Sequence, residues 1–373
     1  MVNKERLIKL TQSLIKINSE NPGSSEYEIA HFIKNYLKPY NLKTEIYEFQ
    51  KKRSNLLVYF GEKQKPTLVL SPHLDTVPAG KNWRYPAFSG LVHKGRLYGR
   101  GASDDKGNLA VALEAIVALK ENNIKLNYQV ILTATADEES GSRLGVIPLL
   151  DKKIIKPDLA LVLDSSKFDI IICQKGLLHI KVYIFGKKAH GAYPYLGENA
   201  IEKAVYILKD ISQYRFKFKP HKLLKPPTIN IGTIQGGDRV NMVSDWCNFS
   251  LDIRFLPEMS NDLILKDIKG IIKRYTKKFK IEIIAKQDPF SIDKDNPLVV
   301  YLRKALEKNR IKFSFKGSEG ATTVSFFNER KIPAVGFGIA KEGKSHATDE
   351  YVEIDDLYKG AKVLVDFLKE FQF

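Results

Sequence analysis

The sequence predicts an α/β chain into which a second, smaller unit has been inserted, and three observations carry that reading. Short apolar runs, TLVLSPH, QVILTATA and DLALVLD, are separated by a helical stretch, NLAVALEAIVALKENN, the pattern of buried strands in an α/β sheet. Each run ends in potential ligand residues: His73, then Asp137, Glu138 and Glu139, then Asp164. Chemistry in open α/β sheets gathers at the carboxyl ends of the strands. From about Gly176 the order becomes strand, helix, strand, strand, helix, strand, which is that of a ferredoxin-like unit.

Taken in order, Lys4 to Ile17 reads as an amphipathic helix. Ser25 to Leu37 reads as a second, with Ser24 or Ser25 placed to cap it. In the inserted unit HIKVYIFG, TINIGTIQGG, CNFSLDIRFL and KIEIIAK read as strands, and NAIEKAVYILKDI and DLILKDIKGIIKRYTKKF as helices. After about Phe290 helix–strand alternation resumes, through IPAVGFGI to a final helix from Ile354 to about Glu370. The expected domains are therefore 1–175 with 289–373, interrupted by 176–288.

Composition narrows the classes. With 373 residues, 43% of them hydrophobic, the chain can bury a sizeable core and is long enough for two domains. No apolar run approaches the roughly 20 residues that cross a bilayer, and the N-terminus lacks the apolar centre of a signal peptide. Cys173 and Cys247 are the two cysteines, so there is neither a disulfide framework nor a Cys-based metal site. A reducing cytoplasm is the expected compartment. The formal charge of +17 invites a nucleic-acid or membrane partner. The lysines are scattered, however, and no nucleic-acid-reading module accompanies them, so neither partner is expected.

The candidate chemistry lies in HLDTVP at His73, GRGASDDKG around Asp104, ADEESG around Glu138, LVLDSS around Asp164 and SHATDEY around His346. Singly, each is unremarkable. Acidic and imidazole groups ending several successive strands are not, because buried together without a cation they would repel one another. In the absence of Cys, His nitrogen and carboxylate oxygen suit zinc, and a pair of ions needs one carboxylate able to bridge them.

In these motifs, their order and their spacing, the whole chain resembles the metallopeptidase and amidohydrolase family of acetylornithine deacetylase, succinyl-diaminopimelate desuccinylase, aminoacylase, glutamate carboxypeptidase and cytosolic dipeptidases. The resemblance implies a zinc-peptidase-like catalytic domain with a central mixed sheet, and an inserted lid and dimerisation domain. It implies two divalent ions, zinc first, with cobalt or manganese as alternatives. His73 and Asp164 would hold one ion, Glu139 and His346 the other, and Asp104 would bridge them through a loop whose next peptide bond is commonly cis in the family. Asp75 would orient His73 from behind. Glu138 would be the general base.

In the inserted domain, GKKAHGAYPYLGENAI resembles the lid motif whose histidine, here His190, reaches the active site of a second subunit to stabilise an oxyanion. GGDRVNMVSDWCNFSLDIR resembles the segment whose Asn and Arg, here Asn241 and Arg254, grip a substrate carboxylate. Gly320 belongs to a further substrate-binding segment. The implied function is hydrolysis of an amide bond in a small substrate with a free carboxylate, by a homodimer. The alternative is a catalytically inactive metal-binding scaffold of the same fold. Ser244 stands where the family often has Pro, and Gly320-Ala321-Thr322-Thr323 where it commonly has Gly-Thr-Ser-Asp. Asp164 stands where desuccinylase-type members usually carry Glu. Deacylase and dipeptidase both stay open.

Overall fold

The computed structural model describes every residue except Gln64 and Lys65. The chain forms two compact units, one of Met1–Ile172, Ile292–Lys316 and Thr322–Phe373, the other of Cys173–Ser291 and Gly317–Ala321.

The first unit is built on a mixed sheet. Its strands are β1 (Lys43–Glu48), β2 (Ser54–Gly61), β3 (Thr67–Ser71), β4 (Gln129–Ala134), β5 (Leu159–Val162), β6 (Ile170–Gln174) and β7 (Ala334–Phe337), and they lie in the order β1-β2-β4-β3-β5-β7-β6. The central four are mutually parallel, whereas β1, β2 and β6 pair antiparallel. β3 and β5 are buried along their whole length, which explains runs with no polar alternation. Helix α3 (Lys106–Glu121), which links β3 to β4, is buried from Lys106 to Leu119. It is apolar almost all round because α1 (Lys4–Lys16) and the final helix α4 (Ile354–Glu370) pack against it.

Parallel register aligns the strand ends that carry the candidate ligands. Ser71 lies opposite Val162 and Leu70 opposite Leu132. Two residues beyond Ser71, His73 therefore comes level with Asp164, and it also bridges to Thr135, just ahead of Asp137–Glu139. Three separate motifs meet because three strands stop together.

One local expectation fails. Helix α2 (Tyr27–Leu37) has Glu26 at its N-cap, with no side-chain capping bond. Neither serine caps it; the Ser24 hydroxyl donates instead to the Asn18 carbonyl at 3.0 Å. Arg53 engages the Glu26 carboxylate at both oxygens, 2.7 Å each. The helix start is thus tied to the strand below it by an ion pair, a tertiary partner that no capping pattern reveals.

The second unit is a four-stranded antiparallel sheet in the order Thr228–Gly236, Trp246–Phe255, Gly176–Phe185, Phe279–Gln287. Helices Ala200–Gln213 and Asn261–Lys273 cover one face, capped by the side chains of Asn199 and Ser260. Ile180, Val182, Ile184, Phe249, Leu251 and Ile253 project from alternate strand positions into the core with Ile207, Ile211, Ile264 and Ile268. Among the described residues of either unit no helix is long and apolar enough to cross a membrane.

Gly107, at the start of α3, marks a close approach: a Cβ there would lie 2.3 Å from the Ala102 carbonyl oxygen. Gly107→Ala is expected to cost about 1–3 kcal/mol through overpacking. Gly270→Ala, in a helix with nothing within 4 Å, should be stabilising by about 0.5–1 kcal/mol. Urea unfolding of the two variants should give midpoints displaced in opposite directions.

Candidate active site

His73 leaves the end of β3, Glu138 and Glu139 the turn after β4, and Asp164 the end of β5. Asp104 sits just before α3, after a loop that doubles back from the strand Arg96–Tyr98, and the Asp104–Asp105 peptide is cis. His346, in the left-handed region at φ 62°, comes from the loop between β7 and the strand Tyr351–Glu353. All six residues belong to the first unit.

The geometry centres on Asp104. Its Oδ1 lies 3.0 Å from His73 Nε2 and its Oδ2 3.3 Å from His346 Nε2. His346 Nε2 is also 3.2 Å from Glu139. Two triads result, His73–Asp104–Asp164 and Asp104–Glu139–His346, each offering one donor atom per residue within 4.8 Å of the others. A tetrahedral ion with bonds of about 2.0–2.2 Å holds neighbouring donors roughly 3.3–3.6 Å apart, close to these separations. The donor set, one imidazole and one carboxylate per triad with a shared carboxylate between, fits two divalent cations of the zinc type.

Electrostatics support the fit. Burial pushes the Asp164 carboxyl up to about 7, and the charge of Asp104 adds to the effect. Burial, with Asp164 and Glu139 nearby, raises Glu138 well above the ordinary carboxylate range. Burial works the same way on Asp104, but hydrogen bonds from His346 and His73 outweigh it and hold that carboxyl low. Asp104, then Glu139, pushes His346 up to about 10. Burial opposes charge on His73, yet Asp104 and Asp75 keep it raised. The two imidazoles are thus forced into the part of counter-ions for too many carboxylates, the imbalance that bound cations relieve.

Support for the ligands comes from behind. The Asp75 carbonyl, 2.9 Å from His73 Nδ1, can only accept, so that nitrogen donates, which would leave the Nε2 lone pair of the neutral ring for a bound cation. The Asp75 carboxylate lies farther from the ring, at 3.5 Å. It accepts the backbone N–H groups of Glu138 at 3.0 Å and Glu139 at 3.1 Å, and the Asn21 amide at 2.9 Å. Asp75 therefore orients the imidazole with its backbone and the Glu138–Glu139 turn with its side chain.

Two further acids went unassigned in the sequence. Asp105 accepts the His73 backbone N–H at 2.9 Å and the Asn108 amide at 2.7 Å. Glu350 accepts the backbone N–H groups of Gly101, Ser103 and Asp104. Their presence in the DDKG and TDEY motifs was the available signal; their targets are backbone groups brought near only by folding.

His190, Asn241, Arg254 and Gly320 belong to the second unit. His190 is exposed, accepts the Ala192 N–H at Nδ1, and pairs in register with Met242. The Asn241 carbonyl accepts the Gly191 N–H, so His190 and Asn241 are neighbours. Arg254 is elsewhere: its guanidinium grips Asp252 through Nε at 2.7 Å and Nη2 at 3.2 Å. The Gly320 carbonyl accepts the Ser318 hydroxyl. Next to it, Glu319 pairs at 2.6 Å with Lys175, whose side chain is almost fully buried.

Fold and site together define a two-cation hydrolase with an inserted α+β unit. Residues 69–370 match the model of peptidase family M20/M25/M40, and the chain belongs to that family. It is similar to the succinyl-diaminopimelate desuccinylase of Orientia tsutsugamushi, with 28% identity over 99% of this chain and 97% of that one. Among solved structures it resembles the aminopeptidase PepT of Bacillus cereus, at TM-score 0.80 and 23% identity, covering 99% of both chains. A metallo-carboxypeptidase of Sulfolobus solfataricus matches at TM-score 0.77 and 20% identity, over 97% and 98% of the respective chains. The chain is a metal-dependent hydrolase of this family acting on small amide or peptide substrates.

Asp75→Ala removes the acceptor for both turn N–H groups. Metal affinity is expected to fall about 10–100-fold, read by elemental analysis after dialysis against graded chelator. Asp75→Asn keeps one acceptor oxygen and should lie between the two.

Proposed function

We propose that the chain hydrolyses the amide bond of a small substrate carrying a free carboxylate, an N-acyl amino acid or a dipeptide. The observation that carries this reading is the convergence of His73, Asp164, Glu139 and His346 around Asp104, with Glu138 beside Glu139 on one turn. When bound, the two cations supply Lewis-acid polarisation of the scissile carbonyl and lower the pKa of water. Glu138 accepts the proton of the attacking water and passes it to the leaving amine. Asp75 keeps Glu138 and Glu139 at fixed spacing through their backbone N–H groups.

The second unit supplies substrate contacts: His190 for the oxyanion, and Asn241, Arg254 and Gly320 for the rest of the substrate. Arg254 lies at the far end of the strand Trp246–Phe255 from the end that leads to Asn241. Eight residue steps at about 3.3 Å each separate those ends by roughly 26 Å. One small molecule cannot span that distance. This supports a homodimer in which His190 and Asn241 come from one copy and Arg254 from the other. Cys173 and Cys247 are buried and unpaired, in keeping with work in a reducing cytoplasm.

Chelator should abolish turnover and divalent zinc, cobalt or manganese should restore it. Glu138→Gln is expected to lose about 10²–10⁴ in kcat while keeping both metals, and Asp104→Ala to lose the metals themselves. His190→Ala should cost about 10²–10³ in kcat. Co-expressing inactive His190→Ala and Glu138→Gln chains should recover activity, because one site of a mixed dimer is intact. If no recovery occurs although mixed dimers form, the shared-site reading is wrong. Parallel assays of dipeptides against N-acetyl, N-succinyl and N-formyl amino acids identify the substrate class.

A further inference from the structure

The two triads are not equally rooted. His73 side-chain exposure is 3%, and His73 and Asp164 continue adjacent strands in register. His346 is 54% exposed and stands on a loop in a left-handed backbone conformation. Glu139, at 7%, is held by Asp75, so His346 and the shared Asp104, both on loops, are the ligands whose positions the sheet does not set.

A buried ion pair does that work. Arg100 and Glu350 are 2% and 0% exposed, with Arg100 Nη1 donating to Glu350 Oε2 at 2.6 Å. Each partner also binds the other's loop. Glu350, four residues after His346, accepts the backbone N–H groups of Gly101 at 3.1 Å, Ser103 at 2.8 Å and Asp104 at 3.0 Å. Arg100, four residues before Asp104, donates to the backbone carbonyls of Ala347 at 3.2 Å and His346 at 3.4 Å. The Gly99 N–H adds a bond to the Glu350 carbonyl at 2.9 Å. Asp104 and His346 come from segments more than two hundred residues apart, and this reciprocal clamp joins them through their own backbones. Charge-assisted hydrogen bonds of this kind are short and directional, and removing one partner of a buried pair leaves the other uncompensated.

We propose that the Arg100–Glu350 pair is the positioning element of the second cation site, Asp104–Glu139–His346, setting His346 against the shared Asp104, and that the second cation depends on this clamp more than the first, whose ligands His73 and Asp164 stand on adjacent strand ends. Neither residue touches a cation or substrate; both act through the backbone of a ligand. The inference rests on the two-cation reading of the site, and the controls keep the two apart.

The test is stepwise zinc titration of metal-free full-length protein against a competing chelator, with bound metal counted by elemental analysis. Wild type should load in two resolved steps. In Glu350→Gln the weaker step should fall a further 10–100-fold, with the tighter step within about threefold of wild type. Arg100→Lys keeps a charge for Glu350 but lacks the guanidinium's spread of donors, so its weaker step should fall less. Asp164→Asn should instead weaken the tighter step, and Asp104→Ala both; if Asp104→Ala keeps two metals at unchanged affinity, the reading of Asp104 as the shared ligand fails, whatever the clamp variants do.

Equal weakening of both steps in Glu350→Gln, or an unchanged weaker step, would overturn the proposal. A single unresolved two-metal step in wild type would do the same. Should both variants fail to fold, amide exchange of unsubstituted protein decides. Protection of the Gly101, Ser103 and Asp104 amides should rise more on the second equivalent of zinc than on the first. Protection that rises fully on the first equivalent contradicts the clamp's selectivity.

Discussion

A single carboxylate faced by two imidazoles, one at each oxygen, is the constraint around which the first unit is organised. Asp104 can serve two neighbours only if His73 and His346 arrive from opposite sides at about the same distance. The parallel centre of the sheet delivers His73, Asp164 and the Glu138–Glu139 turn on one edge. The loop before α3 must bring Asp104 to that edge, and the start of a buried helix suits a negative side chain there. The cost is a concentration of acids in a poorly hydrated place, which the protein's own groups only partly neutralise.

The surrounding polar groups make sense as responses to that cost. Asp75, Asp105 and Glu350 are themselves acidic and buried, so they add to the negative field. Asp75 and Glu350 spend their oxygens largely on backbone N–H groups, and Asp105 spends one oxygen so, which fixes loops. The arrangement trades electrostatic ease for rigidity at the ligand positions, a trade that is tolerable where cations bind.

Much of the site was legible because its information is local. His73, Asp104, Glu139, Asp164 and His346 each lie in a short motif, and each of the three strand-end groups follows an apolar run whose burial is readable from the run itself. The inserted unit was legible for the same reason, since strand alternation and two amphipathic helices suffice to order it. What escaped depends on tertiary neighbours. Ser24 and Ser25 satisfy a capping pattern, yet Arg53 settles that helix start through Glu26. Asp75 lies against the imidazole ring, but its carboxylate also reaches the next strand's turn, which its motif does not encode. Glu350 binds backbone groups some two hundred and fifty residues away, and no periodicity encodes a hydrogen bond to a distant amide.

The segment Gly317–Ala321 lies far along the chain from the body of the second unit, yet it clusters with that unit, where Lys175 holds Glu319. The unit is consequently not a cassette. Excising or transplanting Cys173–Ser291 as one piece would leave the interior Lys175 with the Pro226 carbonyl but without its carboxylate, and leave a five-residue graft behind on the host.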